Sequence, residues 1–550
     1  MTGRNKEAER DKMARSGWAV SGCMAAALAA APVLAAPDLP HLVSQNGRHA
    51  LIVDGKPFLM LGAQVNNSSN YPAALPNVWP TVDKLGANTI EVPVAWEQIE
   101  PTEGKFDFSF LDVLLKQARA HDKRLVILWF GTWKNTGGGY TPEWVKLDTR
   151  RFPRMTNLKG QSHYVPSPFA PNTLAADRNA FTHLMQHLKE ADPQNTVIMV
   201  QVENETGSYG LARDHSPQGD KLFAGPVPAP LAAKVGKRGT WTQVFGRDAE
   251  AAFSAWYIGS YVDQIAAAGK AVKPLPTYVN AALTNHPDQW QEPGSYSSGG
   301  PVPEVFDVWK AAAPHIDILA PDIYNPDHHD YLGFLDLYGR PDNALFVPET
   351  GNKKEFARFF FPAVGRGAIG FSPLGMDETG YFNFPLGAAR LDDGTLDAFA
   401  LNYRLFGQLV HVWPTLALTG RTWGVAEPTD PAAKHEQVID LGKYKATVSF
   451  GRPQFWSSPP VGNDYPSGGA AIAQIGPDEF LVTAVHARVQ IELTRTAPGE
   501  LLQIVHTEEG HYDEDGKWVF DRMWNGDETD SGLNFTSIPT LLHVKLATIR

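Results

Sequence analysis

An apolar run that ends abruptly in acidic residues constrains the fold of this chain more than any other feature. Residues 196–202 form an almost uninterrupted apolar run rich in β-branched side chains, and residues 203–205 (Glu-Asn-Glu) follow at once. This composition is typical of a strand buried on both faces of a parallel sheet. Residues 344–348 repeat the pattern and lead straight into Glu349. Because parallel-sheet enzymes carry catalytic groups at the carboxyl ends of strands, the two runs predict a paired-carboxylate site.

Strand and helix patterns alternate along most of the chain. Residues 110–121, for example, place apolar side chains at helical spacing, and in the strand predicted at 124–130 an arginine is followed by six apolar residues. Eight strands with intervening helices predict an α/β fold, a (β/α)8 barrel over 36–414, with all strand ends on one face. The predicted strands are 58–64, 89–96, 124–130, 196–202, 276–280, 316–320, 344–348 and 368–372.

Two predicted connections on that face are unusually long for a barrel. Residues 131–176 follow strand three and residues 206–247 follow strand four, and both are rich in glycine, proline and aromatic residues. We expect them to wall off a pocket, which favours attack on chain ends or side branches of a substrate.

The pattern changes beyond about residue 415. Apolar and polar residues alternate at 444–450 and 489–493, and Asp515-Gly516 is a hairpin signal. Residues 415–550 are therefore predicted to form an antiparallel β-domain, sandwich-like in form.

Residues 1–35 have the parts of a secretory signal peptide. An apolar segment over 18–34 follows basic residues and ends in the cleavage pattern Val-Leu-Ala at 33–35. Acidic residues upstream make Met13 an alternative start to Met1. We expect a periplasmic or secreted protein with no membrane insertion after cleavage; a retained membrane anchor is the alternative.

Composition excludes several partners and cofactors. A formal net charge of −12 with no basic tract argues against nucleic acid and anionic membranes. Cys23 is the only cysteine, so a cleaved chain has no disulfide and no thiolate site; a faint lipoprotein pattern at Cys23 is the alternative use. The adjacent residues 328–330 (His-His-Asp) lack ligand spacing and favour a solvated loop. We expect no metal and no cofactor.

Paired carboxyl groups at a barrel rim are typical of glycoside hydrolysis. A retaining glycosidase uses one protonated carboxyl as acid and one carboxylate as nucleophile, about 5–5.5 Å apart. Strands four and seven lie across the barrel mouth, so Glu349 can face an acid of the first run. Strand periodicity cannot choose between Glu203 and Glu205, since residues two apart share a face. Solvated rim glutamates are the structural alternative.

Two motifs resemble those of glycoside hydrolase family 35, the β-galactosidases of a clan with Asn-Glu after strand four and a nucleophilic Glu after strand seven. Residues 201–205 (Gln-Val-Glu-Asn-Glu) are similar to its acid/base motif, and 96–104 to its Trp-Asn-x-His-Glu-Pro-x-x-Gly segment. The resemblance covers about residues 51–375. It implies a retaining clan A barrel with Glu205 as acid/base, Glu349 as nucleophile and Asn204 as donor to the sugar 2-hydroxyl.

The segment after strand three departs from that family, which holds galactose there with Ala-Glu-Trp. Residues 130–135 are Phe-Gly-Thr-Trp-Lys-Asn, and Glu97 and Ile99 stand where Asn and His are common. The chain therefore resembles a divergent bacterial branch of the kind that trims galactose from plant polysaccharides such as xyloglucan. We expect Trp133 to stack on a sugar ring and Asn135 to bind its hydroxyls, with packing of the loop as the alternative.

Three further polar residues lie at predicted strand ends. The resemblance implies that Tyr324, after strand six, hydrogen-bonds the nucleophile; the alternative is a wall aromatic. Gln64, at the end of strand one, is a candidate sugar ligand. Asp377, after strand eight, is another, with a turn acid as the alternative.

These observations converge on a secreted, cofactor-free retaining exo-β-galactosidase that acts on carbohydrate. Another clan glycosidase, a β-glucosidase or an endo-glucanase, shares every predicted catalytic feature. A glycan-binding protein on an inactive barrel is a third possibility, but it predicts a lost carboxylate, and both are present.

Overall fold

Eight parallel strands close into a barrel, which confirms the predicted fold class. The computed structural model describes residues 38–381, 383–430, 432–451 and 460–550; the predicted signal peptide, both candidate starts and Cys23 lie outside them. The first and last strands pair through Met60 with Gly370 and Leu61 with Phe371, so the sheet has no edge. Barrel strands one to eight are Met60–Gln64, Thr89–Ala95, Arg124–Lys134, Val197–Asn204, Thr277–Ala282, Ile318–Ile323, Val347–Thr350 and Gly370–Pro373.

Amphipathic helices follow the barrel strands. Helix Ser109–Ala120 shows the pattern: the apolar residues at helical spacing are its buried ones, among them Leu111, Leu114 and Ala118. The helices are Trp79–Leu85, Trp96–Ile99, Ser109–Ala120, Glu143–Leu147, Pro171–Ala191, Pro217–Phe223, Ala229–Val235, Trp241–Phe245, Ala249–Val272, Phe306–Ala312, His328–Tyr338, Phe360–Gly365, Asp393–Gly407 and Val412–Ala417, with short 3-10 turns at Leu75–Asn77, Gly246–Asp248, Pro303–Val305, Lys354–Phe359 and Gly526–Glu528. Within the described residues, no helix has both the length and the apolarity to cross a bilayer.

The structure differs from the sequence prediction around the third strand. That strand continues to Lys134, four residues beyond the predicted end, because the polar residues in it are buried with the rest. The first long connection also contains helix Glu143–Leu147 and a hairpin of Arg154–Thr156 with Ser162–Pro166. A three-stranded antiparallel sheet precedes the barrel in the sequence; its strands are His41–Gln45, Arg48–Val53 and Lys56–Phe58. Its apolar residues pack with residues of the barrel strands in one buried cluster.

Two antiparallel sheets form the C-terminal region, as predicted. One sheet has six strands in the order Thr422–Ala426, Gly469–Gly476, Glu479–Val485, Leu541–Ile549, Leu501–Tyr512 and Trp518–Met523. The other has four, in the order Glu436–Leu441, Tyr444–Phe450, Ala487–Leu493 and Leu533–Phe535. Both contribute to one buried apolar cluster. The division of the chain at residue 415 stays a prediction, since helix Val412–Ala417 crosses it.

The barrel and the six-stranded sheet are in direct backbone contact. Helix Phe360–Gly365 lies against strand Thr422–Ala426, and a Cβ on Gly365 would come within 2.5 Å of the Gly424 Cα. Beside it, the buried guanidinium of Arg358 donates to the carbonyl of Glu427 at 2.9 Å. Only glycine permits this approach, so the two glycines set how the sheet seats on the barrel.

Candidate active site

The fourth barrel strand ends in a distorted segment that separates its two glutamates. Glu203 and Glu205 both have positive φ, 65° and 44°, a conformation that non-glycine residues adopt rarely and mostly at functional sites. The backbone N–H of Glu205 donates to Asn280 Oδ1 at 2.9 Å, and its carbonyl accepts from the N–H of Thr136 at 3.0 Å. These bonds fix Glu205 between the third and fifth strands.

Glu205 and Glu349 face each other across a cavity of about 560 Å³ at the carboxyl ends of the strands. Carboxylate oxygens of Glu205, Glu349 and Asp322 all lie within 4.8 Å of one another. Side chains from the loops complete the wall; those of Asn67, Asn135, Tyr209, Asn285, His286, Asn325, Asn383 and Leu386 are among them.

Glu349 is held by two hydrogen-bond donors. The Tyr324 hydroxyl donates to its Oε1 at 2.5 Å and the Gln64 amide to its Oε2 at 3.2 Å. Donors on both oxygens stabilise the ionised carboxylate. The predicted hydrogen bond from Tyr324 is therefore present, whereas Gln64, a predicted sugar ligand, binds Glu349 instead.

Glu205 has different surroundings. Burial raises the pKa of its carboxyl to about 7, opposed by Lys134 and reinforced by Glu349. The Lys134 ammonium lies 4.0 Å from Glu205 Oε2. At neutral pH a large fraction of Glu205 is thus protonated.

Asp322 is a third carboxyl in the cavity that the sequence analysis did not single out. It is 3% exposed, and its Oδ2 accepts from Asn280 Nδ2 at 2.6 Å. Burial, followed by the charges of Glu349 and Glu205, raises its pKa well above the ordinary value. The sequence does contain a signal for Asp322. It lies at a strand end two residues before Tyr324, just as Glu203 lies two residues before Glu205.

Glu203 belongs to a buried network behind the cavity. Its Oε2 accepts a hydrogen bond from the backbone N–H of Trp133 at 2.7 Å. Burial and the neighbouring Asp177 raise the pKa of Glu203 well above its usual range, and Asp177 itself accepts from Trp129 Nε1 at 2.8 Å and the Thr132 N–H at 2.9 Å. Positive φ breaks the strand alternation, so residues two apart no longer share a face.

The predicted sugar contact of Trp133 is wrong. Its ring is fully buried and packs edge-on against Tyr261, with centroids 4.7 Å apart. Asn135, by contrast, lines the cavity. A tight turn explains the difference: Lys134 and Gly137 pair across Asn135 and Thr136, both with positive φ, which carries Asn135 over the strand end.

Asp377 is a turn acid, so its assignment as a sugar ligand is also wrong. Its carboxylate is fully buried and accepts from the Asn66 N–H at 2.7 Å, the Ser69 hydroxyl at 2.8 Å and the Thr379 N–H at 3.0 Å. These donors leave it little capacity for a ligand. Asn204 is fully buried, and in the described part of the chain neither of its amide atoms has a hydrogen-bond partner.

Metal-ligating side chains come together in three places among the described residues. In the group Glu205–Asp322–Glu349, Tyr324 and Gln64 donate to a carboxylate and Lys134 supplies a positive charge, which disfavours a cation. The group Asp288–His329–Asp330 is largely exposed, and Asp330 already accepts a hydrogen bond from Asn325 at 2.7 Å. The groups are Glu205–Asp322–Glu349, Asp288–His329–Asp330 and His506–Glu508–His543.

Comparisons with known proteins match the barrel and the β-domain separately. Residues 50–302 match the model of Glycosyl hydrolases family 35, and residues 399–536 match a domain of unknown function (DUF5597). Beta-galactosidase 14 of Arabidopsis thaliana is 30% identical over 174 residues, which cover 30% of this chain and 18% of the relative. A beta-galactosidase of Xanthomonas manihotis is 28% identical over 206 residues, covering 36% of this chain and 31% of the relative. The chain thus matches less than a third of the length of these relatives.

Solved structures of two beta-galactosidases are similar to part of the chain. The enzyme from Bacillus circulans sp. alkalophilus aligns with a TM-score of 0.48 and 14% identity, over 64% of this chain and 57% of that one. The enzyme from Marinomonas ef1 aligns with a TM-score of 0.45 and 12% identity, over 63% and 59%. Residues 50–302, a little under half of the chain, are thus similar to glycosyl hydrolases family 35, and the matched range includes the motifs at residues 96–104 and 201–205.

Proposed function

We propose that this protein is a retaining β-galactosidase with Glu205 as acid/base and Glu349 as nucleophile. One observation carries the proposal: carboxylate oxygens from strands four and seven lie within 4.8 Å of each other across one cavity. Retaining glycosidases place the two groups about 5–5.5 Å apart, and inverting ones about 6.5–9.5 Å apart to admit a water molecule. The separation therefore favours direct attack by a carboxylate.

The proposed reaction has two steps. Glu349 attacks the anomeric carbon and forms a glycosyl ester, while protonated Glu205 gives its proton to the departing glycosidic oxygen. Glu205, now ionised, then takes a proton from water, which attacks the same carbon and releases Glu349. Tyr324 and Gln64 hold Glu349 in place. Because burial raises the pKa of Glu205 to about 7, Glu205 can carry the proton that the first step requires.

The shape of the cavity supports release of a terminal sugar. Its volume of about 560 Å³ lies within the range of about 300–1,000 Å³ for pockets that enclose small ligands. Tyr209 from the second long connection and Asn383 from the segment after strand eight close its sides. A walled pocket admits a chain end or a side branch more readily than the middle of a polysaccharide.

Galactose is the proposed sugar because the relatives named above are beta-galactosidases. We further propose that the natural substrate is a plant-type oligosaccharide or polysaccharide such as xyloglucan, reached after export to the periplasm or the medium. The divergent segment at 130–135 and the leader pattern at 1–35 support these finer proposals.

Proton NMR of hydrolysis tests sugar, substrate and stereochemistry together. Galactosylated xyloglucan oligosaccharides should release β-galactose first, with mutarotation to the α-anomer later. Initial α-galactose would exclude double displacement. Parallel assays with nitrophenyl β-galactoside and nitrophenyl β-glucoside should favour the galactoside; preference for the glucoside would indicate another β-glycosidase.

A further inference from the structure

Two paired strands of the six-stranded sheet bring three metal-ligating side chains to one face. Strand Leu501–Tyr512 carries His506 and Glu508, which share a face because they are two residues apart. Strand Leu541–Ile549 pairs with it antiparallel and places His543 directly opposite Glu508.

The separations of these groups suit a shared ion better than direct bonds. His506 Nε2 lies 3.8 Å from Glu508 Oε1, and His543 Nδ1 lies 3.9 Å from Glu508 Oε2. Both distances are too long for hydrogen bonds. Zinc bonds to imidazole and carboxylate measure about 2.0–2.2 Å, so two ligands of one ion lie at most about 4.4 Å apart.

One histidine of the cluster also lacks a partner at its ligand atom. The buried Nε2 atom of His506 has no hydrogen-bond partner in the described part of the chain. A buried polar atom left unpaired costs about 1–3 kcal/mol, so native structures usually satisfy it with another group, water or an ion.

Neighbouring side chains orient the cluster as the outer shell of a metal site does. Trp518 Nε1 donates to Glu508 Oε2 at 3.1 Å, and its ring meets His543 edge-on at 5.9 Å. Behind His543, Glu479 Oε2 lies 3.4 Å from Nε2, and Lys545 pairs with the same carboxylate at 2.8 Å. With Nδ1 on a metal, the Nε2–H of His543 would point to a carboxylate, a common arrangement for ligating histidines.

We propose that His506, Glu508 and His543 bind a divalent transition-metal cation, with Zn²⁺ as the best fit. Two imidazoles and one carboxylate suit this class of ion, whereas Ca²⁺ and Mg²⁺ prefer all-oxygen sites. The side chains are about a fifth to a quarter exposed, so the remaining coordination positions are open to water. The ion would link strand Leu501–Tyr512 to strand Leu541–Ile549. Both strands lie far along the chain from Glu205 and Glu349.

Zinc titration of untagged, chelator-treated full-length protein tests the proposal. Calorimetry with ZnCl2 at pH 7.5 should show one equivalent that the double variant His506→Gln/His543→Gln lacks, together with a rise in melting temperature that this variant loses. His511→Gln is the matched control, because His511 lies on the same strand but pairs with Asp521. Binding should weaken at acidic pH, since protonated imidazole cannot ligate a metal.

A second variant keeps the test decisive if the double variant does not fold. Glu508→Gln preserves the volume of the side chain and an oxygen for Trp518, and should weaken zinc binding about tenfold or more. Equal zinc stoichiometry and equal thermal shifts in the wild type and these variants would overturn the proposal, because binding would then lie at another group.

Discussion

At the scale of single residues, the surroundings of the two proposed catalytic carboxyls differ. Glu349 has a donor on each oxygen, whereas Glu205 is largely shielded from solvent, lies 4.0 Å from one cation and has a pKa of about 7. A carboxyl with a raised pKa beside a second carboxyl held by hydrogen-bond donors fits the roles of an acid and a nucleophile.

Substitution of the two carboxyls should therefore give different losses. Glu349→Gln should reduce turnover by about 10³-fold or more on every substrate, since no glycosyl ester can form. Glu205→Ala should retain part of the glycosylation rate on aryl galactosides with good leaving groups, which need no proton. Steady-state rates on nitrophenyl galactoside and on an unactivated disaccharide measure this. An equal loss on both substrates would contradict the role of Glu205 as acid.

The pH profile should follow Glu205 and respond to Lys134. The acid form is present below the pKa and lost as pH rises through it, so kcat on unactivated substrates should fall above about pH 7. The positive charge of Lys134 lowers the pKa of Glu205. Lys134→Met should therefore move this basic limb to higher pH, while Lys134→Arg should leave it near the wild-type position. An unchanged limb in Lys134→Met would show that another group controls it.

At the scale of elements, the ends of strands three and four are clamped together behind the cavity. Glu203 accepts from the Trp133 N–H, and Asp177 accepts from Thr132 of the same strand. The clamp holds the turn that presents Asn135 and the strand end that presents Glu205. Both acids are buried, so they contribute through position rather than through contact with substrate.

Gly131 lies inside this clamp and should not tolerate a methyl group. A Cβ there would lie 2.7 Å from Glu203 Oε1 and 2.8 Å from Asp177 Oδ2, and closer still to Trp129 Nε1. Gly131→Ala should lower the free energy of unfolding by about 1–3 kcal/mol and reduce kcat. Gly139→Ala is the control, since no atom of the described residues lies within 4 Å of its Cβ position. Urea denaturation with activity assays checks this, and equal behaviour of both variants would contradict the clamp.

At the scale of the whole molecule, the barrel and the six-stranded sheet meet too closely to be independent. Gly365 and Gly424 bring two backbones into contact, and Arg358 donates to Glu427 and to Thr429, both just beyond strand Thr422–Ala426. A buried guanidinium is stable only when such acceptors satisfy it. The sheet is therefore part of what holds the eighth strand and the neighbouring helix in place.

This contact should make the two parts unfold together. Gly365→Ala forces its Cβ into the Gly424 backbone and should lower the free energy of unfolding by about 3 kcal/mol or more. Gly407→Ala should have little effect, because in the part of the chain that the structure describes no atom lies within 4 Å of the Cβ position. Calorimetry should show one cooperative transition that shifts down in Gly365→Ala. Two separate transitions in the wild type would contradict the coupling.

The sequence by itself predicted the barrel, the β-domain and two glutamates, Glu205 and Glu349, at strand ends that face each other across one cavity. These depend on local patterns: a strand buried on both faces is apolar throughout, a helix repeats every 3.6 residues, and polar side chains after a buried strand must lie at its end. Resemblance of residues 201–205 to a known motif then distinguished Glu205 from Glu203, which periodicity left equivalent.

Only the tertiary structure decided which side chains reach the cavity. Positive φ at Glu203, Glu205 and Asn135 turns neighbouring residues in different directions, so Trp133 enters the core while Asn135 lines the site. Residues distant along the chain donate to Asp377, whereas one oxygen of Asp322 has no hydrogen-bond partner among the described residues. Backbone distortion and long-range hydrogen bonds have no period in the sequence, and they determine the contacts of each polar group.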